Sequence, residues 1–220
     1  MVLLSGGMDS ATCLALASKE APPVHALSFL YGQRHARELS SATALARHFR
    51  VAEHHLVRLP LAGLLSSSLT SADARLPSGG PRRGRVPSTY VPARNTILLS
   101  IALGYAESHH LGTIYFGANA IDYSGYPDCR PEFLRAFQRL ARLGTRAGSE
   151  RRSAPHVRAP LLTLSKTGIV RLGERLRVPW ELSWSCYAGG RRPCGTCDSC
   201  RLRARGFRAA GVPDPLLGPT

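Results

Sequence analysis

The sequence predicts an α/β fold: a parallel sheet with helices on both faces, closed by a small C-terminal metal-binding segment. Three observations predict it. Short apolar runs of strand length alternate with stretches of helical composition. The first apolar run breaks at Ser5-Gly6-Gly7 and leads into a helix. Four of the six cysteines crowd into residues 186–200.

Taken in order, residues 2–4 form a short apolar run suited to a buried strand, and 9–18 a helix rich in small residues. Residues 24–30 read as a second strand, 36–49 as a helix and 51–57 as a third strand. A long apolar-periodic helix follows over 94–111, then a strand over 113–117 and a helix over 132–143. Residues 156–159 precede Pro160 as a last strand, and 166–176 read as a helix. Such alternation predicts a parallel sheet with right-handed crossovers. Two stretches rich in Ser, Gly, Pro and Arg, 66–92 and 144–155, are long for internal connections. Each reads as a lid or a plain surface loop. The tail after Arg208 is predicted to be irregular. Residues 1–180 form the predicted main domain, and 181–220 a cysteine segment packed on it.

The length of 220 residues with 44% hydrophobic content fits one compact domain with a small appendage. No apolar run reaches the roughly 18 residues of a membrane span. The start carries no basic leader, so a soluble cytoplasmic protein is expected. The formal charge is +15, yet Lys19 and Lys166 are the only lysines and the arginines are dispersed. This pattern fits a general attraction for anions better than a dedicated nucleic-acid face.

The opening loop carries the first chemical signal. In SGGMDS (5–10) the glycines let backbone approach a ligand closely, and the helix start offers free N–H groups and a positive dipole end. Ser5 and Ser10 add hydroxyls, and Asp9 either holds magnesium or caps the helix. A plain strand-to-helix turn is the other reading. Neither a GxxxxGK[ST] loop nor a GxGxxG fingerprint is present. The cysteines give the second signal. Cys186, Cys194, Cys197 and Cys200 follow a C-x7-C-x2-C-x2-C pattern. Four thiolates close a tetrahedral zinc shell with no open position, which makes the expected zinc structural and one per chain. The other reading is a set of free thiols. Cys13 reads as a small buried hydrophobe, and Cys129 is left unassigned.

SGGMDS resembles the loop of the PP-loop ATP pyrophosphatases, pattern SGGxDS. Further stretches narrow the likeness: YGQRHARE (31–38), VPARN (91–95), GANAIDYSGYPDCRPEF (117–133), PLLTLSK (160–166), WSCY (184–187) and CGTCDSCRLR (194–203). Together and in this order they resemble the 7-cyano-7-deazaguanine synthases, from Leu3 to about residue 215. Two departures stand out: Ala93 where Gly is expected, and Ser183 where Thr is usual.

The resemblance implies a PP-loop, adenine nucleotide α-hydrolase-like fold and an ATP-dependent ligase. Its substrate would be 7-carboxy-7-deazaguanine, turned with ammonia into the nitrile through an adenylated carboxylate and an amide, on the route to queuosine or archaeosine. It also implies a homodimer with no membrane or direct nucleic-acid partner. Backbone of Leu4, Ser5, Gly6, Gly7, Met8, Asp9, Ser10, Ala11, Thr12, Cys13 and Leu14 would surround the ATP phosphates, with Asp9 on magnesium. Arg34, Arg94 and Lys166 would clamp phosphates, against a reading as ordinary surface charges. His35 would orient substrate or move a proton, or simply cap or pack. Asn95 would meet substrate or cap the long helix. Asp122 and Asp128 would accept hydrogen bonds from the guanine-like edge, and Tyr123 or Tyr126 would stack on the ring. The alternative there is a Pro-Asp turn with packed tyrosines.

Two rival functions fit parts of the sequence. One is a PP-loop enzyme acting directly on tRNA, a thiolase or lysidine-forming enzyme, which the charge favours and the zinc-committed cysteines disfavour. The other is a zinc-ribbon nucleic-acid module flanked by Arg201, Arg203, Arg205 and Arg208, which the intact SGGMDS loop disfavours.

Overall fold

The computed structural model describes residues 1–32, 36–61, 63–70, 86–121, 125–150 and 153–217. Among them, five strands build one parallel sheet: β1 (Val2–Leu3), β2 (His25–Leu30), β3 (Glu53–Arg58), β4 (Thr113–Tyr115) and β5 (His156–Arg158). Their order is β3-β2-β1-β4-β5. The chain therefore runs outward from β1 to β3, then returns to the far side of β1 for β4. That reversal opens a crevice at the carboxyl ends of β1 and β4, the place where parallel sheets bind ligands.

Successive strand residues point to opposite faces, and the apolar pattern follows. On one face Val2, Leu4 and Ala26 meet Leu14 of α1 (Met8–Glu20), Leu45 of α2 (Ala36–His48), Ile169 of α6 (Lys166–Arg175) and Phe207 of α7 (Asp198–Ala210). On the other, Leu3, Leu27 and Ile114 meet Leu99 of α3 (Arg94–Ser108) and Phe137 of α4 (Pro131–Gly144). Each fully buried Leu contributes roughly 1.5–3 kcal/mol, so two packed faces hold a β1 of only two residues. Edge bonds extend its grip: the Leu4 N–H donates to the Leu27 carbonyl at 2.8 Å. Cys13 is wholly buried on α1, and burial pushes its thiol up, as a small core residue should be.

Every predicted strand and helix is present, its ends displaced by no more than three residues. One loop expectation needs correction. Residues 144–155 are not wholly irregular: Thr145 caps α5 (Arg146–Ser149), its hydroxyl oxygen accepting from the Gly148 N–H at 3.1 Å. Beyond Ala210 the described tail, residues 211–217, is irregular as expected, and it is tied down. Helix α7 runs on to Ala210, stops at Gly211 with φ +72°, and leads to the buried Asp214. Most of the 66–92 stretch, residues 71–85, lies outside the described residues.

The C-terminal segment is held together by one buried cation, Arg203, which also reaches the body at the Trp180 carbonyl, 3.2 Å from its Nη2. Arg203 is 2% exposed and meets Asp214 with two bonds, Nε to Oδ2 at 2.8 Å and Nη2 to Oδ1 at 3.0 Å. Its Nη1 donates to Ser183 Oγ at 2.8 Å. Ser183 thus supplies the hydroxyl that a threonine would have supplied. A fork held at both ends is the geometry in which a buried guanidinium keeps its hydrogen bonds.

Candidate active site and metal centre

The loop between β1 and α1 is held open from within. The Ser10 hydroxyl donates to the Gly7 carbonyl at 3.0 Å and lies 3.1 Å from Ser5 Oγ. Gly6 has φ +88°, and a Cβ there would stand 2.2 Å from the Glu38 carbonyl oxygen. Only glycine lets the first turn of α2 lie this close to the loop. No side chain caps α1. Its first N–H groups therefore stay available for an anion.

Asp9 lies in that first turn. Its Oδ2 accepts from Lys166 Nζ at 2.6 Å and from Asn119 Nδ2 at 3.1 Å. Its Oδ1 is buried and finds no partner among the described residues. A buried carboxylate oxygen left unbonded beside a phosphate-type loop fits a divalent cation, a hard acid that takes oxygen ligands.

A cavity of about 270 Å³ opens from the loop along the ends of β1, β2 and β4. Ser5, Asp9 and Ser10 line one end, Leu27, Phe29 and Phe116 are among its apolar walls, and Arg94, Glu38, Tyr126 and Tyr187 also face it. Arg94 starts α3; its Nη1 donates to the Tyr31 hydroxyl at 3.2 Å, and its Nε to Asn95 Oδ1 at 3.2 Å. Before it, Ala93 sits at φ +52°, where glycine would be at ease, so the departure in VPARN falls on a left-handed position. Asn95 is the second residue of α3, not its cap. Asp128 does the capping, its carboxylate accepting from the Asn95 N–H at 2.9 Å and from Asn95 Nδ2 at 3.3 Å. Cys129, buried, lies 3.1 Å from the same Nδ2. The Tyr126 hydroxyl is 2.7 Å from Thr89 Oγ1 and its ring lines the cavity. Arg34, His35, Asp122 and Tyr123 lie outside the described residues.

Several residues of the site have no role assigned from the sequence, among them Glu38, Asn119, Trp184 and Tyr187. Each of those named sits inside a motif already singled out, so position within the motif was the available signal. Burial pushes the Glu38 carboxyl up to about 7, with the Arg94 charge pulling the other way. The Trp184 backbone N–H donates to the Gly6 carbonyl at 2.8 Å, and Arg37 lies 4.8 Å from the Trp184 ring centre.

Trp184 also leads into the cysteine cluster. The sulfurs of Cys186, Cys194, Cys197 and Cys200 all lie within 4.8 Å of one another. The N–H groups of Ala188 and Cys194 each approach Cys186 Sγ at 3.3 Å, and that of Cys197 approaches Cys194 Sγ at 3.4 Å. Amides aimed at sulfur favour thiolates, and four clustered thiolates match a closed tetrahedral metal shell.

Residues 1–211 match the family model "Queuosine biosynthesis protein QueC". The chain is 52% identical to a 7-cyano-7-deazaguanine synthase of Anaeromyxobacter sp. (strain Fw109-5), over 99% of this chain and 94% of that one. It is 50% identical to a 7-cyano-7-deazaguanine synthase of Trichodesmium erythraeum (strain IMS101), over 99% of both. Among solved structures, the NMN synthetase of Francisella tularensis shares the fold, with TM-score 0.52 and 18% identity over 96% of this chain and 76% of that one. No helix among the described residues is long and apolar enough to cross a membrane.

Proposed function

This chain belongs to the QueC family of queuosine biosynthesis proteins and is an enzyme of that pathway, and we propose that it converts 7-carboxy-7-deazaguanine, ammonia and ATP into 7-cyano-7-deazaguanine. The observation that carries the reading is one cavity that runs from Ser5, Asp9 and Ser10 of the loop, where Lys166 meets Asp9, to an apolar and aromatic bed. One end suits a triphosphate and the other a flat heterocycle. The tRNA-acting and zinc-ribbon alternatives are set aside, because full-length relatives carry the synthase name.

A carboxylate resists attack because its charge repels nucleophiles and its oxygen leaves poorly. Transfer of AMP from ATP removes both obstacles. Loop amides and Lys166 receive the departing pyrophosphate, and Arg94 balances negative charge further along the cavity. Asp9 would hold magnesium, which offsets phosphate charge when bound. Asp128 and Asn95 keep Arg94 in place by fixing the start of α3. Tyr126 and Phe29 flank the ring of the acid. Cys186, Cys194, Cys197 and Cys200 would hold one structural zinc. Arg34, Asp122 and Tyr123 retain the roles the resemblance gives them and His35 that of orienting substrate, and the resemblance likewise carries the cytoplasmic homodimer and the ammonia supply.

The test is incubation with ATP, magnesium, ammonium and the deazapurine acid, followed by mass spectrometry. Amide and then nitrile should accumulate with AMP and pyrophosphate. ADP and phosphate without AMP would overturn the adenylation route.

A further inference from the structure

We propose that the Glu38 carboxylate is the base that removes protons from nitrogen in the carbon–nitrogen steps of this reaction. The inference rests on the proposed reaction and assigns it a proton acceptor.

The chemistry demands one. When ammonia adds to the acyl adenylate, a C–N bond forms, the C–O bond to AMP breaks, and nitrogen must shed a proton to leave a neutral amide. Going from amide to nitrile, the amide oxygen attacks the α-phosphorus of a second ATP and pyrophosphate leaves. The C–O bond then breaks, AMP departs with the oxygen, and nitrogen loses both remaining protons. A base near the reacting nitrogen serves each departure, and its best proton affinity lies near the working pH.

Among the described residues lining the cavity, only Asp9 and Glu38 are carboxylates, and no histidine lines it. Asp9 has one oxygen taken by Lys166 and Asn119, and the other is the one the proposed function gives to magnesium. Glu38 makes no hydrogen bond or ion pair with a described residue, and the Arg94 charge acts on it from across the same cavity. Its backbone is fixed: the Glu38 carbonyl packs on Gly6 so closely that a Cβ there would be 2.2 Å away. A carboxylate held in the first turn of α2, against the phosphate loop but not bonded to it, is placed to take protons without disturbing nucleotide binding. Burial pushes its carboxyl up to about 7, in the range a general base requires. The side chain is only partly buried, so its proton can pass to solvent between steps.

The experiment compares wild type with Glu38→Gln, both full length and zinc-loaded, in three assays: acid-dependent ATP–pyrophosphate exchange, nitrile formation from ammonium, and hydroxamate formation from hydroxylamine. Hydroxylamine is a neutral nucleophile near pH 7 and needs less help from a base. Glu38→Gln should lower nitrile formation on the order of 100-fold or more. It should keep exchange and hydroxamate formation within about fivefold of wild type, a split that a structural lesion does not produce. Nitrile formation within about tenfold of wild type, or exchange lost in parallel, overturns the assignment. A wild type that forms neither amide nor nitrile refutes the underlying reaction, and the assignment with it.

Discussion

Lys166 Nζ stands 2.6 Å from Asp9 Oδ2, an ion pair between residues 157 positions apart. It joins the first residue of α6 to the first turn of α1, so a cation is held beside the glycine loop. Both side chains are mostly shielded, at 14% and 22% exposure. Lys166→Met removes the cation and leaves Asp9 with its charge uncompensated. Adenylation, read as acid-dependent pyrophosphate exchange, should fall on the order of 100-fold or more, the loss typical of removing one electrostatic donor from a reacting centre. Exchange at the wild-type rate would remove Lys166 from the phosphate site.

The position of Lys166 depends on a glycine in the cysteine segment. A Cβ on Gly206 of α7 would meet Lys166 Cβ at 2.9 Å and its backbone carbon at 3.2 Å. Gly206→Ala must therefore push α7 away from α6, at about 1–3 kcal/mol of overpacking, and shift Lys166 from Asp9. We expect a lower melting temperature together with a raised KM for ATP. Gly104→Ala is the control: a Cβ on Gly104 meets nothing within 4 Å, and Gly104 is exposed on α3. There the helix propensity gained is up to about 1 kcal/mol, and ATP kinetics should not change. Equal effects of the two substitutions would break the proposed link.

Much of this architecture is legible in the sequence, for identifiable reasons. Strand and helix periods differ, so apolar runs and turn residues announce β2, α3 and the rest within a few positions. SGGMDS and the cysteine spacing are local signals, complete within a few residues. What is not local escapes. Asp128 caps α3 from 33 residues away, so nothing beside Asn95 in the chain marks the partnership. Asn119 reaches Asp9 across 110 residues, and Arg203 reaches Ser183 across 20. Glu38 is one glutamate on a polar helix face until the fold lays α2 over Gly6. Thr145 caps a helix too short to leave a period.

The cysteine cluster supports the nucleotide loop through two neighbours. Trp184 donates its backbone N–H to the Gly6 carbonyl at 2.8 Å, and Tyr187, next to Cys186, lines the cavity. Elemental analysis of freshly purified reduced protein should find about one zinc per chain. Chelation should release the 184–200 segment and weaken ATP binding about tenfold, or 1.4 kcal/mol, by calorimetry. The melting temperature should fall as well, because a structural metal adds its binding energy to folding. ATP affinity unaffected by complete metal removal would confine the cluster to a role apart from the loop.

Glu38 also predicts a pH signature in the absence of substrate. In the unfolded chain its carboxyl titrates near the ordinary value of 4.5, whereas in the fold burial raises it to about 7. Between those values the folded state binds a proton that the unfolded state does not. The group therefore favours folding as pH falls through 7, and its ionised form costs stability above that. Glutamine carries no such charge. Glu38→Gln should melt above wild type at about pH 8, with the gap narrowing through pH 7 and closing near pH 5. Thermal melts across that range measure it directly. A gap independent of pH would mean that the carboxylate is solvated in the fold and gains no proton affinity there.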